Sequence, residues 1–205
     1  HPATGNIMPV APAGFHLPGR ALLAAVLLVS TLLAGCESLS PAECATADWR
    51  QLGVQDGSRG HTDRIASYYE SCAKAGIAVN AAVYRAGRNQ GLQSYCQPAN
   101  ALNEGLAGNS YEGVCPAPMD QNFRNIHGIA WRDQDARKTL ARLLRQQDQM
   151  QAELRDSKTA EDRRRTLRDD LSRSDRRIEE ARYAVRDASY QLDRLRSDMR
   201  QRGQY

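Results

Sequence analysis

Five cysteines carry the chemistry this sequence could perform. Cys36 follows Leu33-Ala34-Gly35 and the apolar run Ala21 to Leu33, with Arg20 as the single positive charge before it. This is the pattern of a lipobox, where a signal peptide is cut and the new N-terminal cysteine receives acyl chains. The small Ala34 and Gly35 let a peptidase approach the backbone closely. The other four, Cys44, Cys72, Cys96 and Cys115, are even in number and confined to the first half of the chain. In an oxidising compartment they read as two disulfides. Three connectivities are open, and the expectation is sequential pairing, Cys44–Cys72 and Cys96–Cys115. Spacings of 28, 24 and 19 residues contain no C-x-x-C pair, so no metal site is expected.

Acid–base and nucleophilic chemistry has few candidates. Asp56 could pair with His61 five residues on, although His61 sits in the turn Gly57-Ser-Arg-Gly-His61, where a solvated loop histidine is the expected state. His127, beside Gly128 and near Trp131, reads as packing or capping. Cys72 could be a nucleophile near either histidine, but four oxidisable cysteines favour structural pairing. No G-x-S-x-G elbow accompanies these groups. Hence no catalytic residue is assigned, no cofactor is expected, and the protein is read as a non-enzyme.

The elements around these residues begin with a leader. Thirteen apolar residues suit a signal h-region and are short for a membrane span of roughly 20. Residues 1–35 read as a signal peptide, with Met8 the expected initiator, and residues 36–43 as a linker behind the lipidated Cys36. An acyl chain contributes about 0.8 kcal/mol per buried CH₂, so several chains on Cys36 would hold the protein on a membrane without a spanning helix. Glu37 is not the aspartate that retains such proteins in the inner membrane. The expected location is the cell envelope, at the periplasmic face of the outer membrane.

Residues 44–131 read as a cysteine-containing α-rich domain. Thr62 to Ala75 has helical spacing in Ile65, Tyr68, Tyr69 and Cys72, with Thr62 as cap and Gly76 as stop. Asn80 caps a second helix, Ala81 to about Tyr95, with Val79, Val83, Gly87 and Gly91 on one face. Pro98 starts a third piece, Ala99 to Leu106, ended by Gly108-Asn109, and Tyr111 to Val114 reads as extended. Glycines recur about four apart, at Gly53/Gly57, Gly87/Gly91 and Gly105/Gly108. Each helical glycine costs about 1 kcal/mol relative to alanine, so the repeats call for close backbone crossing of short helices. They match no phosphate loop.

The runs Trp49-x-x-x-Gly53-x-x-Asp56-Gly57-x-x-Gly60, Tyr84-x-x-Gly87-Arg88-x-x-Gly91-Leu92-x-x-Tyr95-Cys96-x-Pro98 and Gly105-x-x-Gly108-x-x-Tyr111-x-Gly113-Val114-Cys115-Pro116, with Cys72 between the first two, are similar to a bacterial lipoprotein family of unknown function (DUF2799). The resemblance covers about residues 44–131. It implies an envelope location and a small cysteine-containing α-rich domain, and it implies no activity.

From Asp133 the glycines vanish until Gly203, proline is absent and charge dominates. Nineteen Lys/Arg face fifteen Asp/Glu there, against eight and nine between Cys36 and Arg132. Residues 133–201 read as a coiled coil or helical hairpin. A 4,3 seam runs through Leu167, Leu171, Ser174, Ile178, Ala181, Val185, Ala188, Leu192, Leu195 and Met199. An earlier seam, Leu140, Leu144, Gln147, Gln151 and Leu154, is out of phase with it. A turn near Ser157–Ala160, with Thr159 as N-cap, would fold one segment back on the other. The arginine-rich face carries interspersed carboxylates and reads as a solvated coiled-coil surface, so no nucleic acid is expected.

The sequence thus leads to a mainly α protein: a disulfide-stapled α-rich domain followed by a long helical or coiled-coil segment. The expected function is a lipid-anchored, non-catalytic scaffold or adaptor of the cell envelope. Its coiled coil would engage a partner protein or a second copy. The alternative is a binding module for peptidoglycan or another anionic envelope glycan.

Overall fold

A computed structural model describes residues 39–204. Cys36, the expected signal peptide 1–35 and most of the expected linker lie outside the described residues. Seven helices and no strand occur among the described residues: α1 (Pro41–Ala45), α2 (Trp49–Ser58), α3 (Ile65–Ala73), α4 (Ala81–Tyr95), α5 (Pro98–Ala107), α6 (Ala117–Arg155) and α7 (Glu161–Gln201). No helix among them is long and apolar enough to cross a membrane.

Local chemistry sets most helix ends. Ser40 and Glu43 form a reciprocal capping box on α1, so the stretch read as linker already enters a helix at Pro41. Asp48 caps α2 through the Gln51 amide, and Asn80 caps α4 through the Val83 amide. Gly108 ends α5 at φ 76°, a left-handed C-cap. Two expectations fail at this level. The helix expected from Thr62 starts at Ile65, with no side-chain cap at Arg64, because His61 and Arg64 are drawn into contacts with Asp56. Val83 is 40 % exposed, and the buried face of α4 is Tyr84, Gly87, Gly91, Leu92 and Tyr95.

Helices α2 and α4 run in the same direction with their backbones in contact. A Cβ added at Gly53, Gly57, Gly87 or Gly91 would lie inside 3.0 Å of a backbone carbonyl on the other helix: of Tyr84, Arg88, Arg50 and Val54 respectively. The glycine pairs spaced four apart are therefore one interlocked crossing. Gly105 does the same for α5 on α6, where an added Cβ would meet the His127 carbonyl and Ala130 Cβ.

Cys44 pairs with Cys72, and Cys96 with Cys115, the sequential connectivity. The first disulfide sits in a small core with Ile65, Tyr68, Val79 and Tyr84. The second sits in the main core, with Tyr95, Leu102, Phe123 and Ile126.

α6 and α7 form an antiparallel hairpin, each about 60 Å long at 1.5 Å per residue. Thr159 is not the N-cap of α7; Ala160 holds that position without a side-chain bond. Thr159 instead donates its hydroxyl to the Glu153 carbonyl, closing the end of α6 at 2.7 Å. Arg163 grips Glu153 through two nitrogens, and Arg164 donates to the Thr159 and Asp156 carbonyls. Within the hairpin Leu143, absent from the expected seam, is the buried leucine that meets Ile178 and Ala181, with Leu140 and Leu144 beside it. The junction expected between residues 131 and 133 falls inside α6, which runs through it unbroken. Leu192 and Met199 of α7 return to the core built around Phe123, so residues 39–204 form one compact unit.

The glycine crossing can be checked by paired substitutions. Gly57→Ala should cost about 1–3 kcal/mol through backbone overpacking. Gly128→Ala, whose Cβ would meet only the Arg132 side chain at 3.7 Å, should leave stability unchanged or raise it by up to about 1 kcal/mol. Thermal unfolding followed by circular dichroism reads both, and equal midpoints for the two variants would contradict the crossing.

Candidate functional site

The sequence candidates Asp56 and His61 do come together, but inside a saturated cluster. The last turns of α2 carry Asp56 into the interior, 4 % exposed. Its Oδ2 accepts hydrogen bonds from the hydroxyls of Tyr68 (2.7 Å) and Tyr84 (2.8 Å). Its Oδ1 lies 3.3 Å from His61 Nδ1 and 3.4 Å from Arg64 Nη1. The Arg64 amide also donates to the Tyr84 hydroxyl, and Arg88 donates twice to the His61 carbonyl. Burial pushes the Tyr84 hydroxyl pKa well above its ordinary value. The Arg64 amide pulls against that rise, and the Asp56 carboxylate adds to it. With its oxygens engaged by two phenols, Arg64 and His61, this carboxylate clamps α2, α3 and α4 together. Cys72 is fully buried in its disulfide with Cys44 and presents no thiol. Among the described residues no three His, Cys, Asp or Glu converge as a metal site would require.

A second arrangement lies at the start of α6. Phe123, His127 and Trp131 are four residues apart and share one helix face. Phe123 is buried against Tyr95 and Tyr111, and His127 stacks on Phe123. His127 Nε2 faces the Asn109 carbonyl at 2.9 Å, so in the neutral ring this nitrogen carries the proton. Tyr111 donates its hydroxyl to Asp120 and accepts from the Cys115 amide. Arg124 binds Asp120 through Nε at 2.7 Å and lies over the Tyr111 ring at 5.1 Å. The result is an open groove lined by Tyr111, Arg124, His127, Gly128, Trp131 and Arg132, with Trp131 40 % exposed. The sequence reading gave His127 packing or capping and assigned no role to Trp131. Their i, i+4 spacing was the available signal, while Tyr111 reaches the groove through a loop that spacing does not reveal.

The seam residues lie mostly inside the hairpin. Leu167, Ile178, Leu192 and Met199 are buried, and Leu171, Val185 and Leu195 are half-buried. Asp133 on α6 takes two bonds from Arg137 and one from Ser189 of α7. Burial pushes its pKa up, but those hydrogen bonds outweigh burial and hold the carboxyl below its usual range. Beside this seam the two helices leave a shallow groove floored by small side chains: Ala136 and Thr139 of α6, and Ala181, Ala184 and Ala188 of α7. It continues past Gln191 to Ile129, Tyr190 and Leu195.

Burial pushes the hydroxyl pKa of Tyr95 up to about 12, aided by Glu104 and Glu112, and that of Tyr111 up to about 12, aided by Asp120. These folded-state values exceed the unfolded value near 10. The stabilisation is therefore complete below about pH 10 and is lost as pH rises through 12. Ultraviolet titration of phenolate should show buried tyrosines ionising together with unfolding above pH 11 or so. Ionisation of every tyrosine near pH 10 with helicity retained would contradict the packing.

Residues 48–132 match the family described as "Protein of unknown function (DUF2799)". The matched segment holds the glycine crossing, the Asp56 cluster and the Tyr111–Arg132 groove, and it ends within α6. No curated protein and no solved structure matches the chain.

Proposed function

We propose that this protein is a lipid-anchored, non-catalytic adaptor of the cell envelope, held to a membrane through Cys36 and binding a partner through its hairpin. The Leu33–Cys36 motif supports the anchor. The alanine-floored groove supports the partner site. The apolar seam is already consumed within the chain, so the hairpin stands folded without a partner and offers a preformed surface. Alanine and threonine leave space between two parallel-sided helices, which is the shape an amphipathic third helix fills. From Ile129 to Thr139 the groove extends about 15 Å along α6, three turns of such a helix. Its rim carries both signs, with Arg132, Asp135 and Asp187, so charge can fix the register of the incoming helix.

Photo-crosslinkers at Ala136 and Ala184 of the lipidated protein in cells test this reading. The expected result is a discrete adduct with one other protein, absent from the exposed opposite-face position Arg186, and the adduct from Ala136 should be abolished by Ala184→Arg. Adducts confined to the chain itself, or the same adducts from Arg186, would refute it.

A further inference from the structure

We propose that the groove between the Tyr111 loop and α6 binds a saccharide that carries a carboxylate. The site is independent of the hairpin groove, with Arg132 the one residue lining both.

The groove measures about 610 Å³, within the span of roughly 300–1,000 Å³ typical of small-ligand sites. Its wall is aromatic: the indole of Trp131 is exposed, and the Tyr111, Phe123 and His127 rings are packed behind it. A flat exposed ring accepts the C–H face of a pyranose, which buries apolar area without requiring a dry pocket.

Two arginines supply the charge. Arg124 spends only Nε on Asp120, and its two terminal nitrogens make no hydrogen bond among the described residues. They lie beside Gly113, where a Cβ would come 2.7 Å from Nη2. Asp120 holds the guanidinium in place and raises its pKa, so it stays charged. Arg132 forms no ion pair or hydrogen bond among the described residues. Its Nη1 reaches back toward Gly128, 3.7 Å from where a Cβ would stand. Paired guanidinium nitrogens match the two oxygens of a carboxylate.

An extended peptide fits less well. The helical wall has its backbone amides paired within α6, and the Asn109 carbonyl is occupied by His127, so main-chain partners for a strand are missing from the lining. The Ser110 hydroxyl, at the rim, donates to Glu112 and can turn toward a sugar hydroxyl.

Titration calorimetry on the full-length protein in detergent provides the test, with four probes: N-acetylmuramic acid, an oligogalacturonate, neutral chitotriose and a tetra-aspartate peptide. The expected result is binding of at least one carboxylated sugar, and whichever binds identifies the source. Chitotriose should bind at least tenfold more weakly, and affinity should fall as salt rises. Trp131→Ala and Arg132→Ala, both at exposed side chains, should each weaken binding about tenfold or more while circular dichroism stays unchanged. The proposal is overturned if neither carboxylated sugar binds or if chitotriose binds equally well. It is also overturned if the peptide binds more tightly than both sugars, or if the two variants retain full affinity.

Discussion

The return of α7 to the cysteine-rich half is the constraint on which the rest of the structure depends. That half has a single phenylalanine, Phe123, which is buried among Tyr95, Leu102, Ile126 and the Cys96–Cys115 disulfide. Leu192 and Met199 complete this cluster from the far end of the sequence. Burying each contributes about 1.5–3 kcal/mol, a large share of the margin by which a domain of this size is stable. α6 makes the return possible. It begins at Ala117 inside the cysteine-rich half, runs out as one arm of the hairpin, and is followed by α7 all the way back.

The short helices solve a different problem. With few large apolar side chains available, α2 and α4 gain contact by bringing backbones together at four glycines rather than by interdigitating side chains. Two disulfides then reduce the freedom of the unfolded chain, each worth about 2–4 kcal/mol. The Asp56 cluster adds direction: two phenols and Arg64 converge on one buried carboxylate, and a misplaced α3 would leave that charge unsatisfied. The Cys96–Cys115 disulfide and the hydrogen bonds of Tyr111 to Asp120 and the Cys115 amide hold the Tyr111 loop against α6, which shapes the arginine–tryptophan groove.

Much of this was legible in local spacing. The cap and extent of α4, the paired glycines of the crossing and the deepest residues of α7 follow from patterns within a few turns, whereas the sequential pairing of the cystines was one of three open connectivities. The misreadings arose where distant contacts decide. Thr62 has the chemistry of a cap, yet Asp56 claims His61 and Arg64 on either side of it. Leu143 was passed over for a register that included Gln147 and Gln151, because the seam of α6 is chosen by Ile178 and Ala181 across the hairpin. The change of composition at residue 133 marks where α6 leaves the cysteine-rich half, one residue past the end of the family match. The groove was hidden for the same reason: Tyr111, Arg124 and Trp131 meet only after the Cys96–Cys115 link folds the loop over α6.

The central claim is that the two halves share one core. Native-state hydrogen exchange on Met199→Ala tests it most directly, since that truncation removes a fully buried side chain at a cost of about 2–5 kcal/mol. The account predicts that amides of Ala101, Leu102, Phe123 and Ile126 lose protection together with those of α7. Loss confined to α7, with the cysteine-rich half as protected as before, would show two independent units and contradict it.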